Sequence, residues 1–296
     1  MNTLYGYNFY FCKKRNRMRQ RKPDWLKIKL PKGESYHFVS EMVHKHNLHT
    51  ICESGKCPNI GECWGNRTAT FMILGDICTR SCRFCNTKTG KPFPPDQEEP
   101  QKLAEAIRLM KLKHAVITSV DRDDLPDKGA GHWSECINKI HKINPDTTME
   151  TLIPDFDGNH ALLDMIITEK PDIISHNLET VERLTPEIRS RAEYRTSLEV
   201  IRYLSEHGIR SKSGLMPGIG ETNEEIYQTM DDLVNAGCEI LTMGQYLQPT
   251  VNHLPVDRYL SPEEFEDLKQ VALKKGFKQV ESAPLVRSSY HADKQV

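Results

Sequence analysis

Residues 69–85 read ATFMILGDICTRSCRFC. The first six form an apolar run of strand length. The chain then turns directly into C-x3-C-x2-C, with Cys78, Cys82 and Cys85. Three is an unusual number of thiols for one site. A structural zinc takes four ligands, and disulfides take pairs. Three thiolates on a cubic 4Fe–4S cluster leave one iron open to another ligand.

Working outward, the same rhythm repeats. Short apolar segments at 69–74, 115–119, 147–153, 171–176, 211–216 and 239–244 predict strands. Between them, amphipathic stretches at 100–112, 132–143, 159–169, 194–207, 223–236 and 262–275 predict helices. In the first of these, Leu103, Ala106, Ile107 and Met110 make one stripe. Strand–helix alternation implies parallel strands joined by right-handed crossovers. Six βα units give an α/β fold, a partial (β/α)6 TIM-type barrel with N- and C-terminal extensions. In such folds chemistry sits on the loops at the C-terminal strand ends, where the cysteine loop falls.

Upstream lies a second triplet, CESGKCPNIGEC, with Cys52, Cys57 and Cys63. A helix over 35–47 precedes it, and residues 24–33 are expected to be extended, with Leu26, Ile28 and Leu30 on one face. Cys136 and Cys238 fall in or beside helices and read as buried, inert thiols. Trp64, directly after the triplet, reads as a shield over a cluster or as packing.

The expected division is 1–23 as a basic tail, 24–66 as an extension carrying the first triplet, 67–276 as the partial barrel and 277–296 as a C-terminal extension. The tail holds Lys13, Lys14, Arg15, Arg17, Arg19, Arg21 and Lys22 without an acid or a serine. That composition reads as a disordered segment, or as sequence ahead of a start at Met18, before it reads as a transit peptide. Cys12 within it has no assigned role. A formal net charge of −1 gives no case for nucleic acid. No apolar run nears membrane-spanning length. Nine cysteines without a secretory h-region point to a reducing, cytoplasmic setting, where clustered thiols mean metal or catalysis.

The double triplet resembles the lipoyl synthase family of radical S-adenosylmethionine (SAM) enzymes. So do SVDRDDLPDKGAGHW (119–133), ETLIPDF (150–156), SHNLETV (175–181), KSGLMPGIGETNEE (212–225), MGQYLQP (243–249) and Arg287-Ser288-Ser289-Tyr290. The resemblance implies that Cys78, Cys82 and Cys85 hold a 4Fe–4S cluster whose open iron chelates SAM. It implies a reductive SAM cleavage that yields a 5′-deoxyadenosyl radical. Cys52, Cys57 and Cys63 would hold an auxiliary 4Fe–4S cluster consumed as the sulfur source. Its fourth ligand would be a tail serine, Ser289, with Ser288 as competitor. An oxygen corner among soft thiolates should be easier to release. The reaction implied is insertion of two sulfurs at C6 and C8 of an octanoyl-lysine on a lipoyl carrier domain. The carriers would be 2-oxoacid dehydrogenase E2 subunits and the glycine cleavage H protein. A ferredoxin or flavodoxin would donate electrons, and an iron–sulfur carrier would rebuild the cluster.

Other rim residues read less sharply. Ser119 and Asp121, with Arg122, Asp123 and Asp124, follow the second strand and are candidates for SAM or carrier-lysine contacts, against a solvated turn. Asn177 and Glu179 follow the 171–176 strand and are candidates for the ribose or methionine part of SAM, against helix capping. Gly218 and Glu221, in GLMPGIGET, are candidates for the adenine site, against a tight βα turn. Arg287 is placed near the auxiliary cluster or as a brace for the tail. The rivals are another two-cluster sulfur-inserting radical SAM enzyme, and a non-catalytic electron carrier. A carrier would need four cysteines per cluster.

Overall fold

The computed structural model describes residues 21–28 and 33–296. The expectations for Cys12, for Leu30 and for most of the basic tail lie outside the described residues.

In chain order, helix α1 (Glu34–Lys45) leads to β1 (His49–Thr50), α2 (Ile51–Ser54) and α3 (Ile60–Gly65). The barrel then opens with β2 (Thr70–Ile73), followed by two short strands of the cysteine loop, β3 (Ile77–Cys78) and β4 (Lys88–Thr89). Next come α4 (Glu99–Met110), β5 (His114–Ser119), α5 (Ala130–Ile143), β6 (Thr148–Leu152), α6 (His160–Thr168) and β7 (Ile173–Ser175). The series ends with α7 (Thr185–Ile188), α8 (Tyr194–Glu206), β8 (Ser211–Leu215), α9 (Asn223–Asn235), β9 (Ile240–Met243), α10 (Pro262–Lys275) and β10 (Gln279–Ser282).

The main sheet runs β1-β2-β5-β6-β7-β8-β9-β10, parallel throughout except for β1. Sequence order and spatial order coincide from β2 onward, as expected for repeated βα units that form a partial barrel. All six anticipated strands form within a residue or two of the expected bounds. The stripe of α4 is buried, with Leu103 and Ile107 fully enclosed. Capping boxes at Thr222/Glu225 and Ser261/Glu264 fix the starts of α9 and α10. Gly276, left-handed at φ 117°, ends α10 and turns the chain into β10.

Two expectations are corrected. Residues 24–33 do not begin as an extended segment, because Asp24–Leu26 close a 3-10 turn behind Pro23, whose ring sets φ at −60°. Leu26 is buried and Ile28 is exposed, so the alternating residues do not share a face. The sheet also gains a seventh parallel strand, β10, that periodicity did not reveal. In QVES only Val280 is apolar and buried, which leaves no alternation to read.

The concave interior of the sheet is polar at mid-height. Lys212 Nζ pairs with Glu150 Oε2 at 2.8 Å, and Ser175 Oγ donates to Glu150 Oε1 at 2.6 Å. Glu150, Lys212 and Ser175 are all fully buried. The hydrophobic core lies outside, between strands and helices.

Candidate active site: two cavities, each lined by a cysteine triplet

The first cavity, about 290 Å³, is bordered by Cys78, Cys82 and Cys85 together with Ser119, Asp121, Asn177 and Glu179. Its cysteine loop is anchored on several sides. The Gly90 N–H donates to the Cys78 carbonyl at 3.0 Å, and Arg83 N–H donates to Ile188 at 2.9 Å. Ser81 N–H donates to Ser190 Oγ at 2.9 Å, and His253 Nε2 lies 2.9 Å from the Cys85 carbonyl. Beneath the loop, the Arg80 guanidinium is buried in a fork of carboxylates. It donates to Asp123 at 2.9 Å and to Asp155 at 2.8 and 2.9 Å, with Asp121 3.4 Å away. Burial works against the charge of Asp155, yet the Arg80 hydrogen bonds outweigh it and hold that carboxyl well below its ordinary value. Asp121 goes the other way, raised by burial that Arg80 only partly offsets.

Asn177 carries the clearest sign of an awaited ligand. Its amide donates to Glu179 Oε1 at 3.1 Å and to Ser288 Oγ at 2.7 Å, but its buried Oδ1 has no partner among the described residues. Gly214 leaves the adjoining space open: a Cβ there would stand 2.8 Å from Asn177 Oδ1 and 3.0 Å from Thr242 Oγ1. Glu179 holds a left-handed backbone at φ 66°, bridged to Leu215. Such conformations in a non-glycine residue cluster at functional loops. Ser119 Oγ accepts from the Trp133 indole at 3.2 Å. An amine-bearing cofactor and a three-thiolate cluster both suit this set of donors and acceptors.

Gly218 and Glu221 do not reach the cavity, which corrects the expectation for both. Glu221 folds back on its own loop and accepts the N–H groups of Gly218, Ile219 and Gly220 at 2.6, 2.9 and 3.1 Å. Gly218, at φ 102°, is small because a side chain there would run into Gln245 and the Arg258 carbonyl. From the same motif it is Gly214, Leu215 and Met216 that line the cavity.

The second cavity, about 310 Å³, is bordered by Cys52, Cys57, Cys63, Thr70, Ser289 and Tyr290. Cys52 sits on α2, started by the Thr50 side chain, and Cys63 sits on α3. The C-terminal tail closes over them. Asn59 Nδ2 donates to the Leu285 carbonyl at 2.7 Å, Tyr290 OH to Glu62 at 3.0 Å, and Thr70 Oγ1 to Ser289 Oγ at 2.7 Å. Adjacent serines therefore face different cavities: Ser289 lines the second and Ser288 the first. Arg287 borders both, half-buried near Cys57 and donating to the Val286 carbonyl at 2.6 Å.

Among the described residues, no three of His, Cys, Asp and Glu converge on a single-ion position. The thiols of each triplet border their cavity. Burial and neighbouring thiols push Cys52 up to about 11 and Cys63 to about 12. Burial and Asp121 raise Cys78 to about 12. Burial also raises Cys57 and Cys85. Without metal these thiols keep their protons at pH 7, and iron must displace them. Cluster assembly is therefore expected to accelerate steadily from pH 6.5 to 8.5 and to release about three protons per cluster. Iron uptake in weakly buffered solution with a pH indicator checks this; a rate independent of pH would contradict it. Cys136 and Cys238 are buried away from both cavities, and burial raises both thiols. Their burial is as expected.

The sequence did not single out Arg80, Asp155 or the Glu150–Lys212 pair. Asp155 closes the ETLIPD segment at a strand end, which was a usable signal. Arg80 lay hidden between two cysteines.

A family model described as the radical SAM superfamily matches residues 72–233. A model of the N-terminal domain of lipoyl synthase matches residues 7–57. The lipoyl synthase of Bacteroides fragilis strain YCH46 is 61% identical over 281 residues, covering 95% of this chain and 98% of the relative. The mitochondrial lipoyl synthase of Nematostella vectensis is 57% identical over 279 residues, covering 94% and 96%. Streptococcus suis SuiB bound to SAM shares the fold, with a TM-score of 0.55 at 10% identity over 77% of this chain. The chain spans about half of that structure, 54%.

Proposed function

Because the chain belongs to the lipoyl synthase family of radical SAM enzymes, we propose that its two cavities divide that reaction between them. The enzyme is a sulfurtransferase that uses SAM and 4Fe–4S clusters and acts on lipoyl carrier proteins. Its reaction sets two sulfurs on C6 and C8 of a protein-bound octanoyl-lysine. When bound, the SAM-side cluster supplies the electron for radical formation and the auxiliary cluster supplies sulfur.

The chain's residues then take these parts. Cys78, Cys82 and Cys85 hold the SAM-side cluster and leave one corner for SAM. Asn177 Oδ1 accepts a donor of SAM in the space that Gly214 leaves open, and Glu179, Ser119 and Asp121 complete the polar rim. Cys52, Cys57 and Cys63 hold the auxiliary cluster, with Ser289 as its oxygen ligand. The Thr70 hydroxyl, donating to Ser289 Oγ, favours the deprotonated oxygen that binds iron. Arg287 offsets the negative charge of both clusters from between them. The octanoyl chain lies against Met72, Leu152 and Met216, on the walls of the first cavity. The observation that carries this reading is the opposed facing of Ser288 and Ser289, each toward a different triplet.

The carriers served are the octanoylated E2 subunits and the glycine cleavage H protein. A ferredoxin or flavodoxin brings electrons, and an iron–sulfur carrier restores the spent cluster. Clustered thiols of this kind suit a reducing compartment such as the cytoplasm.

Anaerobic reconstitution should give about eight irons per chain. Incubation with SAM, reductant and an octanoyl-lysine peptide should then add two sulfurs in place of two hydrogens, read by mass spectrometry. Ser289→Cys should hold its cluster and stall before full product. SAM cleavage without thiolated product in the unaltered chain would overturn the assignment, and full yield from Ser289→Cys would remove the role of the oxygen ligand.

A further inference from the structure

Strand β9 ends at Met243, and the MGQYLQP stretch that begins there is where the C-terminal tail is fastened. The Ala283 N–H donates to the Met243 carbonyl at 3.2 Å, and the Gln245 N–H donates to the Pro284 carbonyl at 3.2 Å. The Val286 N–H then donates to the Ala283 carbonyl at 3.0 Å, and this turn brings the Val286 carbonyl against Gly244.

Gly244 is buried between the two fastened residues, and its own N–H donates to the Leu215 carbonyl at 3.2 Å. A Cβ at this position would overlap the Val286 carbonyl oxygen. It would stand 2.8 Å from the carbonyl carbon and 3.1 Å from Arg287 Nη1. The obstacle is backbone, held in place by Arg287 Nη1 at 2.6 Å, and it cannot rotate aside as a side-chain tip can. Gly244 does not hold a left-handed conformation, so its own backbone would accept another residue. The close approach of the tail is what requires glycine here.

The segment that a side chain would displace leads directly into the two serines. Thr70 Oγ1 lies 2.7 Å from Ser289 Oγ, and Asn177 Nδ2 lies 2.7 Å from Ser288 Oγ. A shift of about 1 Å takes such a hydrogen bond beyond its working range. We propose that Gly244 is a positioning residue for Ser289: by presenting no side chain, it lets the tail settle on the end of β9 at the depth where Ser289 reaches the auxiliary cluster. The inference rests on the reading of Ser289 as that cluster's oxygen ligand. A methyl group at 244 should lift the tail and leave the sheet intact. Strand β9 is paired on both sides, with β8 and β10, whereas the tail beyond β10 is held at separate points.

The test compares the full chain with Gly244→Ala, Ser289→Ala and the double variant. In the apo chains with thiols reduced, amide hydrogen exchange of segment 283–290 is expected to be about tenfold faster in Gly244→Ala, as the loss of one or two hydrogen bonds would make it. Exchange across β2, β5 and β6 should stay as in the parent, which separates a lifted tail from general destabilisation. Each chain is then prepared with Cys78→Ala, so that the first-triplet cluster is observed alone, reconstituted, reduced and read by electron paramagnetic resonance. Gly244→Ala is expected to give the spectrum of Ser289→Ala, distinct from that of the parent, and the double variant the same spectrum again. A parent-like spectrum in Gly244→Ala beside an altered one in Ser289→Ala would overturn the inference, as would unchanged exchange of the tail. If Ser289→Ala itself leaves the parent spectrum unaltered, the reading of Ser289 as a ligand fails and takes the inference with it, which is a separate outcome. Should Gly244→Ala fail to fold, the same comparisons are made with Asn59→Ala in every chain, which frees the tail at Leu285 and gives it room to lift.

Discussion

Cys78→Ala is expected to abolish SAM cleavage, while Cys52→Ala is expected to keep it and lose the thiolated product. The contrast follows from the geometry of the two cavities. Cys78 opens the anchored loop after β2 and borders the cavity that also holds the unpartnered Asn177 Oδ1. With two thiolates left, a 4Fe–4S cluster loses its hold, and iron content should fall from about eight to about four per chain. The loop itself should persist: the Cys78 Sγ contacts with the Arg80 and Asp121 N–H groups at 3.4 and 3.3 Å are lost, but its stronger anchors do not pass through the sulfur. Arg80 still grips Asp123 and Asp155, and Arg83 N–H still reaches Ile188. Cys52 lies on α2 in the other cavity, whose wall is closed by the tail. Its loss should also bring iron to about four, with 5′-deoxyadenosine still released. Iron assay and chromatography of the SAM products read both results. Equal loss of SAM cleavage in the two variants would contradict separate roles for the triplets.

Lys212→Met is expected to cost about 3–5 kcal/mol of stability, the usual penalty for leaving one member of a buried ion pair without its partner. The pair is fully enclosed, with Nζ 2.8 Å from Glu150 Oε2 and only Ser175 remaining on the other carboxylate oxygen. That loss is large against the roughly 5–15 kcal/mol by which native proteins are stable. Replacing both partners, Glu150→Leu with Lys212→Met, should recover most of it, since no uncompensated charge remains. Urea unfolding of the apo chain with its thiols reduced measures the difference. A single variant within about 1 kcal/mol of the parent would show that the pair is not the brace of the barrel interior. The pair ties strand β6 to strand β8 across the intervening β7.

Much of this was legible in the residues. The strand–helix rhythm depends on local periodicity, and six strands with seven helices emerge where that periodicity is strong. Each buried stripe, such as that of α4, repeats within one element. The cysteine triplets were legible for a related reason, because their ligands are close in sequence and their spacing is itself the chemical constraint. What failed was non-local. Glu221 looked like a ligand residue from its place after a glycine-rich turn. The turn's own N–H groups claim both of its oxygens, and nothing in the linear order declares that. The strand β10 carries one buried apolar residue and exists because β9 offers it an edge. Arg80 became visible only when two loops brought their aspartates round it.

The serine pair marks the boundary between the two kinds of information. Composition and spacing determine a run of βα units and two three-thiolate sites; the family resemblance adds a tail serine for one of them. They cannot choose between Ser288 and Ser289, which are equivalent in spacing from the triplet more than 200 residues upstream. The choice depends on how the tail is seated. Asn59 holds the Leu285 carbonyl, Tyr290 reaches Glu62, and a turn closed by the Tyr290 N–H on the Arg287 carbonyl at 2.9 Å carries the two serines to different sides. Thr70 meets Ser289 on one side and Asn177 meets Ser288 on the other. Hydrogen bonds across separations of 111 and 219 residues make that decision, and only the folded chain brings their partners together.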